Sequence, residues 1–510
     1  MQSRCKRAFV IASVTLILAV WALESAFAQP APIPRAVVSA NAAPAEMADR
    51  FAELRQGEKA VSIPGAAWLQ LQFSHVQLGQ GGTLTITSAV GDRQSFSQAT
   101  LEAWGGLTAI FNGSELRVIL TPGPGATEPV VARVGNIIIG LPPDVEGAAE
   151  EALRPLTQLL GTDFRRFIPE DARRPRPRTE GATPGQPEAI CGATDDRVAS
   201  NNPPSGRIMP VGCTGWLIGG RTLLTAGHCT GASMQTVEFN VPASQANGTT
   251  VSPPVRDQYR VTAGSIVTQN TGIGNDWAIF TVLPNTETGL LPAAAQGATF
   301  QLSNTQNPAN VRITGFGVDG PPPGPGCMTC DFGAQGPRDT TNQTQQTHVG
   351  TLRTNTGGAN TGTLRYDVDT QGGNSGSPVI VEGSNVAIGI HTNGGCATTG
   401  GTNAGTSFRN QALWTAAIPA TPATAKSILF YRSDGVGAVG HIQNGQFQQT
   451  QSINNFTSNW THVVPVGDQI VFVRNDGLGA VGHIQNGQFQ QTQSINSFTS
   501  NWLKIVAVEQ

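Results

Sequence analysis

The chain has 510 residues, of which 61 are glycine and 34 proline, together about 19% of the whole. At roughly 100–200 residues per domain this is about three domains, and glycine and proline without a G-X-Y period exclude collagen and favour turn-rich β structure. Charged residues make up only 13% and the formal net charge is −3, which excludes long charge-driven disorder, long solvated helices and a polybasic nucleic-acid surface.

Arg4, Lys6 and Arg7 precede an apolar run over residues 9–23, and Ala26-Phe27-Ala28 follows. This reads as a secretory signal over residues 1–28, cleaved after Ala28. A retained anchor needs about 20 apolar residues, and this run is shorter. No later stretch is apolar enough to span, so no stable membrane insertion is expected, and the mature protein is expected outside the cytoplasm, extracellular or periplasmic. Cys5 leaves with the signal, and Cys191, Cys213, Cys229, Cys327, Cys330 and Cys396 remain. An even number in an exported chain reads as disulfides. Cys327-x-x-Cys330 has no second CxxC beside it and reads as a disulfide rather than a zinc knuckle or redox motif, so no metal and no other cofactor is expected.

Within residues 29–143, residues 62–141 alternate apolar and polar positions, as in Trp68-Leu69-Gln70-Leu71-Gln72-Phe73 and Thr83-Leu84-Thr85-Ile86-Thr87. Strands at this spacing predict a β-sandwich that serves as a propeptide, an accessory module or both. His75 falls in one of its strands as a surface or edge residue. Residues 144–190 hold a mildly helical stretch and then a basic, proline-rich linker, Arg173-Arg174-Pro175-Arg176-Pro177-Arg178, the kind of exposed backbone that proteases nick.

Residues 191–418 are β-patterned and gather the chemistry. Thr225-Ala226-Gly227-His228-Cys229 follows a strand-like run, Asn275-Asp276-Trp277-Ala278-Ile279-Phe280 puts an acid before an apolar strand, and Gly372-Gly373-Asn374-Ser375-Gly376-Ser377-Pro378 puts a serine in a glycine-rich turn. A serine hydroxyl needs a base to accept its proton during attack. An imidazole suits that role near neutral pH, and a buried carboxylate holds it in one tautomer. Glycines beside the serine aim the N–H groups of Gly373 and Ser375 at the place where an oxyanion would form. His348, in a Gln/Thr-rich stretch, reads as a loop residue.

In these three segments, taken in the order His, Asp, Ser, residues 191–418 resemble the chymotrypsin-like serine endopeptidases, in particular the bacterial branch that includes the glutamyl endopeptidases. The resemblance implies an all-β pair of six-stranded antiparallel barrels with the site between them, His228 as general base, Asp276 as its orienting carboxylate, Ser375 as nucleophile, and a disulfide Cys213–Cys229. Cys191-Gly192-Ala193-Thr194-Asp195-Asp196-Arg197 resembles the mature start of several such enzymes. Glutamyl endopeptidases carry a histidine in the S1 pocket, matched here by His391, and a threonine matched by Thr370; both can donate to a substrate carboxylate. Asp369 stands where trypsin-type enzymes keep the acid that binds Arg or Lys, so basic P1 specificity is the alternative.

After a linker over residues 419–426, residues 427–510 contain a duplication: residues 437–454 recur unchanged as 479–496, a period of 42. Each copy offers about four strand-like pieces, the first copy at 428–432, 438–442, 446–453 and 461–466, the size of one propeller blade. His441 and His483 are the same repeat position and so belong to the blade. Arg432, Trp460, Arg474 and Trp502 are expected mainly to pack within it, with a glycan or surface ligand as the competing role. The leading function is a secreted serine endopeptidase acting on polypeptides, with no nucleic-acid partner. An inactive protease scaffold that binds glycans or surfaces is the alternative from another class. A lipase or esterase is disfavoured by the chain order and by the lack of a G-x-S-x-G elbow.

Overall fold

The computed structural model describes residues 30–142, 150–172, 190–192, 194–319, 339–397, 400–418, 427–431, 436–443, 446–454, 460–466, 469–474, 476–485 and 488–496. The expected signal, the Arg/Pro linker run and the Cys327/Cys330 pair lie outside the described residues. The chain divides into two compact units, residues 1–417 and 418–510.

In the first unit, strand alternation builds a sandwich from residue 35 onward. One sheet orders Arg35–Ser39, Val131–Gly140, Trp68–Gln77 and Phe111–Asn112, and the other orders Gly57–Ser62, Glu115–Thr121, Thr83–Ser88 and Arg93–Phe96. Successive side chains of a strand point to opposite faces. Leu69, Leu71, Ile137 and Ile139 of the first sheet therefore meet Leu84, Ile86, Leu116, Val118 and Leu120 of the second in one core. Helix Glu150–Leu160 closes one side with Leu153, Leu156 and Leu160. The opposite face of the first sheet is buried as well: Trp68 and Ile138 pack with Ile33, Leu107, Ile110 and Met209. Met209 belongs to the next domain, so the sandwich is docked through its own sheet.

That next domain has two β systems. A seven-stranded half-barrel orders Gln258–Arg260, Met234–Glu238, Ser205–Pro210, Cys213–Leu217, Thr222–Thr225, Asp276–Thr281 and Val267–Asn270. The second system runs Gln346–Asn355, Asn310–Gly315, Pro378–Val381, Val386–Asn393, Asn403–Ser407 and Thr363–Tyr366, and the last pairs back with the first to close a six-stranded barrel. This is the double-barrel arrangement that the resemblance implies. Each barrel has its own core. A third cluster joins them, with Trp216, Leu224 and Trp277 of the half-barrel against Ile380, Ile390, Phe408 and Leu413. Trp216 meets Phe300 and Phe408 edge-on at 5.4 and 6.2 Å, a geometry that aromatic quadrupoles favour. This interface fixes how the two barrels face each other, and the chemistry-bearing segments lie at it.

The second unit carries the duplication. Ser427–Tyr431, Gly437–Gln443 and Gln446–Ile453 form a three-stranded sheet, while His462–Val466, Gln469–Val473, Gly479–Gln485 and Gln488–Ile495 form a four-stranded one. The fourth piece expected in the first copy thus opens the second sheet: His462–Val466 pairs with Gln469–Val473. Only two residues separate these antiparallel strands in sequence, so the sheet boundary falls before the repeat boundary. Phe472 packs against Trp460 and Phe489, which puts Trp460 in side-chain packing within this unit. No helix among the described residues is long and apolar enough to cross a membrane.

Candidate active site

Register brings the first two segments together. Thr222–Thr225 pairs antiparallel with Asp276–Thr281, Thr225 opposite Ala278, so Asp276 lies just beyond the end of the strand that leads into His228. A short 3-10 turn, Gly227–Cys229, carries His228, and the disulfide Cys213–Cys229 clips that turn to the neighbouring strand. The carboxylate of Asp276 is fully buried and holds the histidine at two points: Oδ1 accepts the His228 backbone N–H at 3.0 Å, and Oδ2 accepts from Nδ1 at 2.6 Å. With Nδ1 as donor, the tautomer is fixed and Nε2 presents its lone pair. Nε2 is buried and has no hydrogen-bond partner among the described residues.

Ser375 reaches the same interface from the closed barrel. Its loop is stitched to strand Cys213–Leu217: the Thr214 N–H donates to Ser375 O at 2.8 Å, Thr214 Oγ1 donates to Gly373 O at 2.9 Å, and Trp216 Nε1 donates to Gly376 O at 2.9 Å. The strand that carries Cys213, and through its disulfide the His228 turn, therefore also positions the serine loop. Gly373 has φ +99°, and a Cβ there would sit 2.5 Å from Phe316 O. Only glycine takes that conformation without strain. No hydrogen bond engages the Gly373 N–H among the described residues, which leaves it as a donor beside the serine. Such a site can transfer an acyl group to a hydroxyl and stabilise the oxyanion that forms.

The expected S1 residues lie against this loop. The Gly376 N–H donates to His391 O, and the His391 N–H to Ser377 O, both at 2.8 Å. His391 is fully buried. Its Nδ1 lies 2.7 Å from Tyr366 Oη, which donates to Ala404 O at 3.0 Å, and its Nε2 has no partner among the described residues. Burial, with the nearby His228 adding to it, pushes the His391 imidazole down to about 3, so the ring is neutral in the free protein. Thr370 is buried too, and its Oγ1 accepts from Asn403 Nδ2 at 3.0 Å.

Asp369 is used differently. Its Oδ1 accepts the Cys191 N–H at 2.7 Å and its Oδ2 the Asp196 N–H at 2.8 Å. Burial raises its pKa against the opposing effect of these hydrogen bonds and of His348. His348 corrects the loop expectation. It lies in strand Gln346–Asn355, and its Nδ1 accepts the Asp369 N–H at 2.8 Å. A Gln/Thr-rich run does not advertise a strand, because the side chains there are only half-buried and pattern poorly. His75 is exposed on strand Trp68–Gln77, as expected of a surface residue.

The supporting residues carry no sequence signal. Asn403 donates to Val368 O at 2.7 Å as well as to Thr370, and accepts the Cys396 N–H at 3.0 Å. Thr406 accepts the Asp276 N–H and donates to Asp276 O. Single polar residues inside strands leave no spacing signal. Cys191 is bridged to Cys396, a pairing that the sequence left open and that ties the start of this domain to the wall around His391.

Parts of the chain are similar to known proteins. A glutamyl endopeptidase of Bacillus licheniformis is 27% identical over 196 residues, covering 36% of this chain and 51% of that protein. The chain thus spans about half the length of that relative. Neuropsin, a serine protease expressed in the limbic system of mouse brain, is 15% identical with a TM-score of 0.29, covering 42% of this chain and 92% of that one. Residues 213–390, which contain His228, Asp276 and Ser375, match the family model of the trypsin-like peptidase domain.

Proposed function

We propose that the protein is a secreted serine endopeptidase that cleaves polypeptides through an acyl-enzyme, with preference for Glu at P1. The observation that carries the reading is the two-point hold of Asp276 on His228 beside the serine loop. In this reading Ser375 Oγ attacks the substrate carbonyl, His228 Nε2 takes the hydroxyl proton, and Asp276 balances the imidazolium. The N–H groups of Gly373 and Ser375 receive the oxyanion, and His228 then returns the proton to the leaving amine. Two disulfides and the expected signal support export to an oxidising compartment.

The acidic preference is supported by the buried, unpartnered Nε2 of His391 next to the serine loop, which donates to a P1 carboxylate once the ring takes up a proton there as the carboxylate enters, and by the glutamyl endopeptidase relative. Both oxygens of Asp369 already accept backbone N–H groups, which leaves that carboxylate little to offer a substrate cation. A panel of chromogenic peptides with Glu, Asp, Arg or Lys at P1 tests the reading. Glu is expected to be cleaved fastest, with no turnover by Ser375→Ala; faster cleavage after Arg or Lys would reverse the assignment in favour of Asp369.

A further inference from the structure

We propose that residues 30–34, ahead of the sandwich, form a built-in inhibitory strap that takes up the carbonyls at the hairpin turn of Pro210–Gly212 beside the serine loop and so blocks the approach of a peptide substrate. The proposal rests on the hydrolase reading of the His228–Asp276–Ser375 site. The Ala31 N–H donates to Gly212 O at 2.9 Å and the Ile33 N–H to Pro210 O at 3.0 Å, while Ala31 O accepts from Gln343 Nε2 at 2.6 Å. These two antiparallel rungs cap the hairpin turn between Ser205–Pro210 and Cys213–Leu217.

The position of the rungs gives them a function. Gly212 precedes Cys213, whose disulfide partner Cys229 follows His228. On the other side, a Cβ built on Gly373, two residues before Ser375, would lie 3.5 Å from Ala31 Cβ. Ala31 is therefore wedged between the strand behind the histidine turn and the glycine turn of the serine. The approach is close: a Cβ on Gly212 would lie 1.7 Å from Ala31 O. A peptide whose main chain passes between the His228 turn and the Gly373 turn needs the same space and the same turn carbonyls, so strap and substrate compete for Gly212 O and Pro210 O.

The strap is preorganised and anchored. Pro30, Pro32 and Pro34 fix φ and carry no N–H, leaving Ala31 and Ile33 as the donors. Ile33 is fully buried among Trp68, Leu107, Ile110, Ile138 and Met209. The sandwich adds paired hydrogen bonds to the half-barrel, Ile110 with Gln258 and Asn112 with Ser252. A strap held this way acts at a high effective concentration.

The test uses the full chain as wild type, Ala31→Pro, which deletes the N–H to Gly212 O, and Ala31→Gly, which keeps it. Two readouts are taken: hydrolysis of an internally quenched peptide extending several residues beyond a Glu cleavage site, and fluorophosphonate labelling mapped to Ser375. Loss of one strap hydrogen bond is expected to raise peptide hydrolysis by roughly fivefold to tenfold in Ala31→Pro, with Ala31→Gly near wild type. If Ser375 labels in both wild type and Ala31→Pro and their peptide rates are equal, the strap is overturned while the hydrolase reading stands. Absence of Ser375 labelling in every chain overturns both. If Ala31→Pro loses the native melting transition, Ile33→Thr, which weakens the anchor and keeps the backbone donors, must give the same rise, and an unchanged rate there overturns the strap.

Discussion

At the scale of single residues, His391 carries the most specific consequence. An imidazole whose pKa is about 3 in the folded protein and near 6.5 in an unfolded chain binds a proton in the unfolded state first as pH falls. Stability therefore drops as pH is lowered through the window between those values. His391→Gln is expected to flatten that part of a stability-versus-pH curve measured by urea midpoints; an unchanged slope would mean the ring is not held neutral. The same substitution removes the proposed partner of a P1 carboxylate, so preference for Glu over Gln at P1 is expected to fall. The catalytic candidates were readable in the sequence because each sits in a short motif with its own chemical logic. The roles of Asn403, Thr406 and His348 were not, because a polar residue within a strand declares its partner only once the strand register is known.

Among the elements, the strand Cys213–Leu217 links two parts of the site. It holds the serine loop through Thr214 and Trp216, and it holds the histidine turn through Cys213–Cys229. Closing a 16-residue separation stabilises by about 3 kcal/mol in the chain-entropy description. The double replacement Cys213→Ala with Cys229→Ala is expected to lose about that much in urea unfolding, with hydrolysis falling too as the turn loosens; an unchanged midpoint would mean that hydrogen bonding alone fixes the turn. Strand identity in the sandwich and in the repeats was legible from period-two alternation, as at Leu69, Leu71 and Phe73. The junction between the two repeats was not, because His462–Val466 has strand character in either sheet and only its hairpin with Gln469–Val473 decides.

For the molecule as a whole, the sandwich and the double-barrel region share buried contacts but no covalent link other than the chain itself, since residues 6–190 contain no cysteine. Cleavage in the Arg/Pro linker, residues 173–189, is therefore expected to leave two fragments that co-elute in native size exclusion and separate in denaturant. Separation without denaturant would contradict the docking through Ile33, Trp68 and Met209. The duplicated unit at residues 427–510 had its strands legible in sequence, while its ligand, if a glycan or surface, stays a proposal from the repeat alone. The central claim is tested most directly by fluorophosphonate labelling of the purified full chain, with the modified peptide located by mass spectrometry. Labelling is predicted at Ser375, absent in Ser375→Ala, and slowed by several orders of magnitude in His228→Ala, roughly 10⁴-fold or more as for other triads. No adduct on Ser375, or one whose rate ignores His228, would contradict the account.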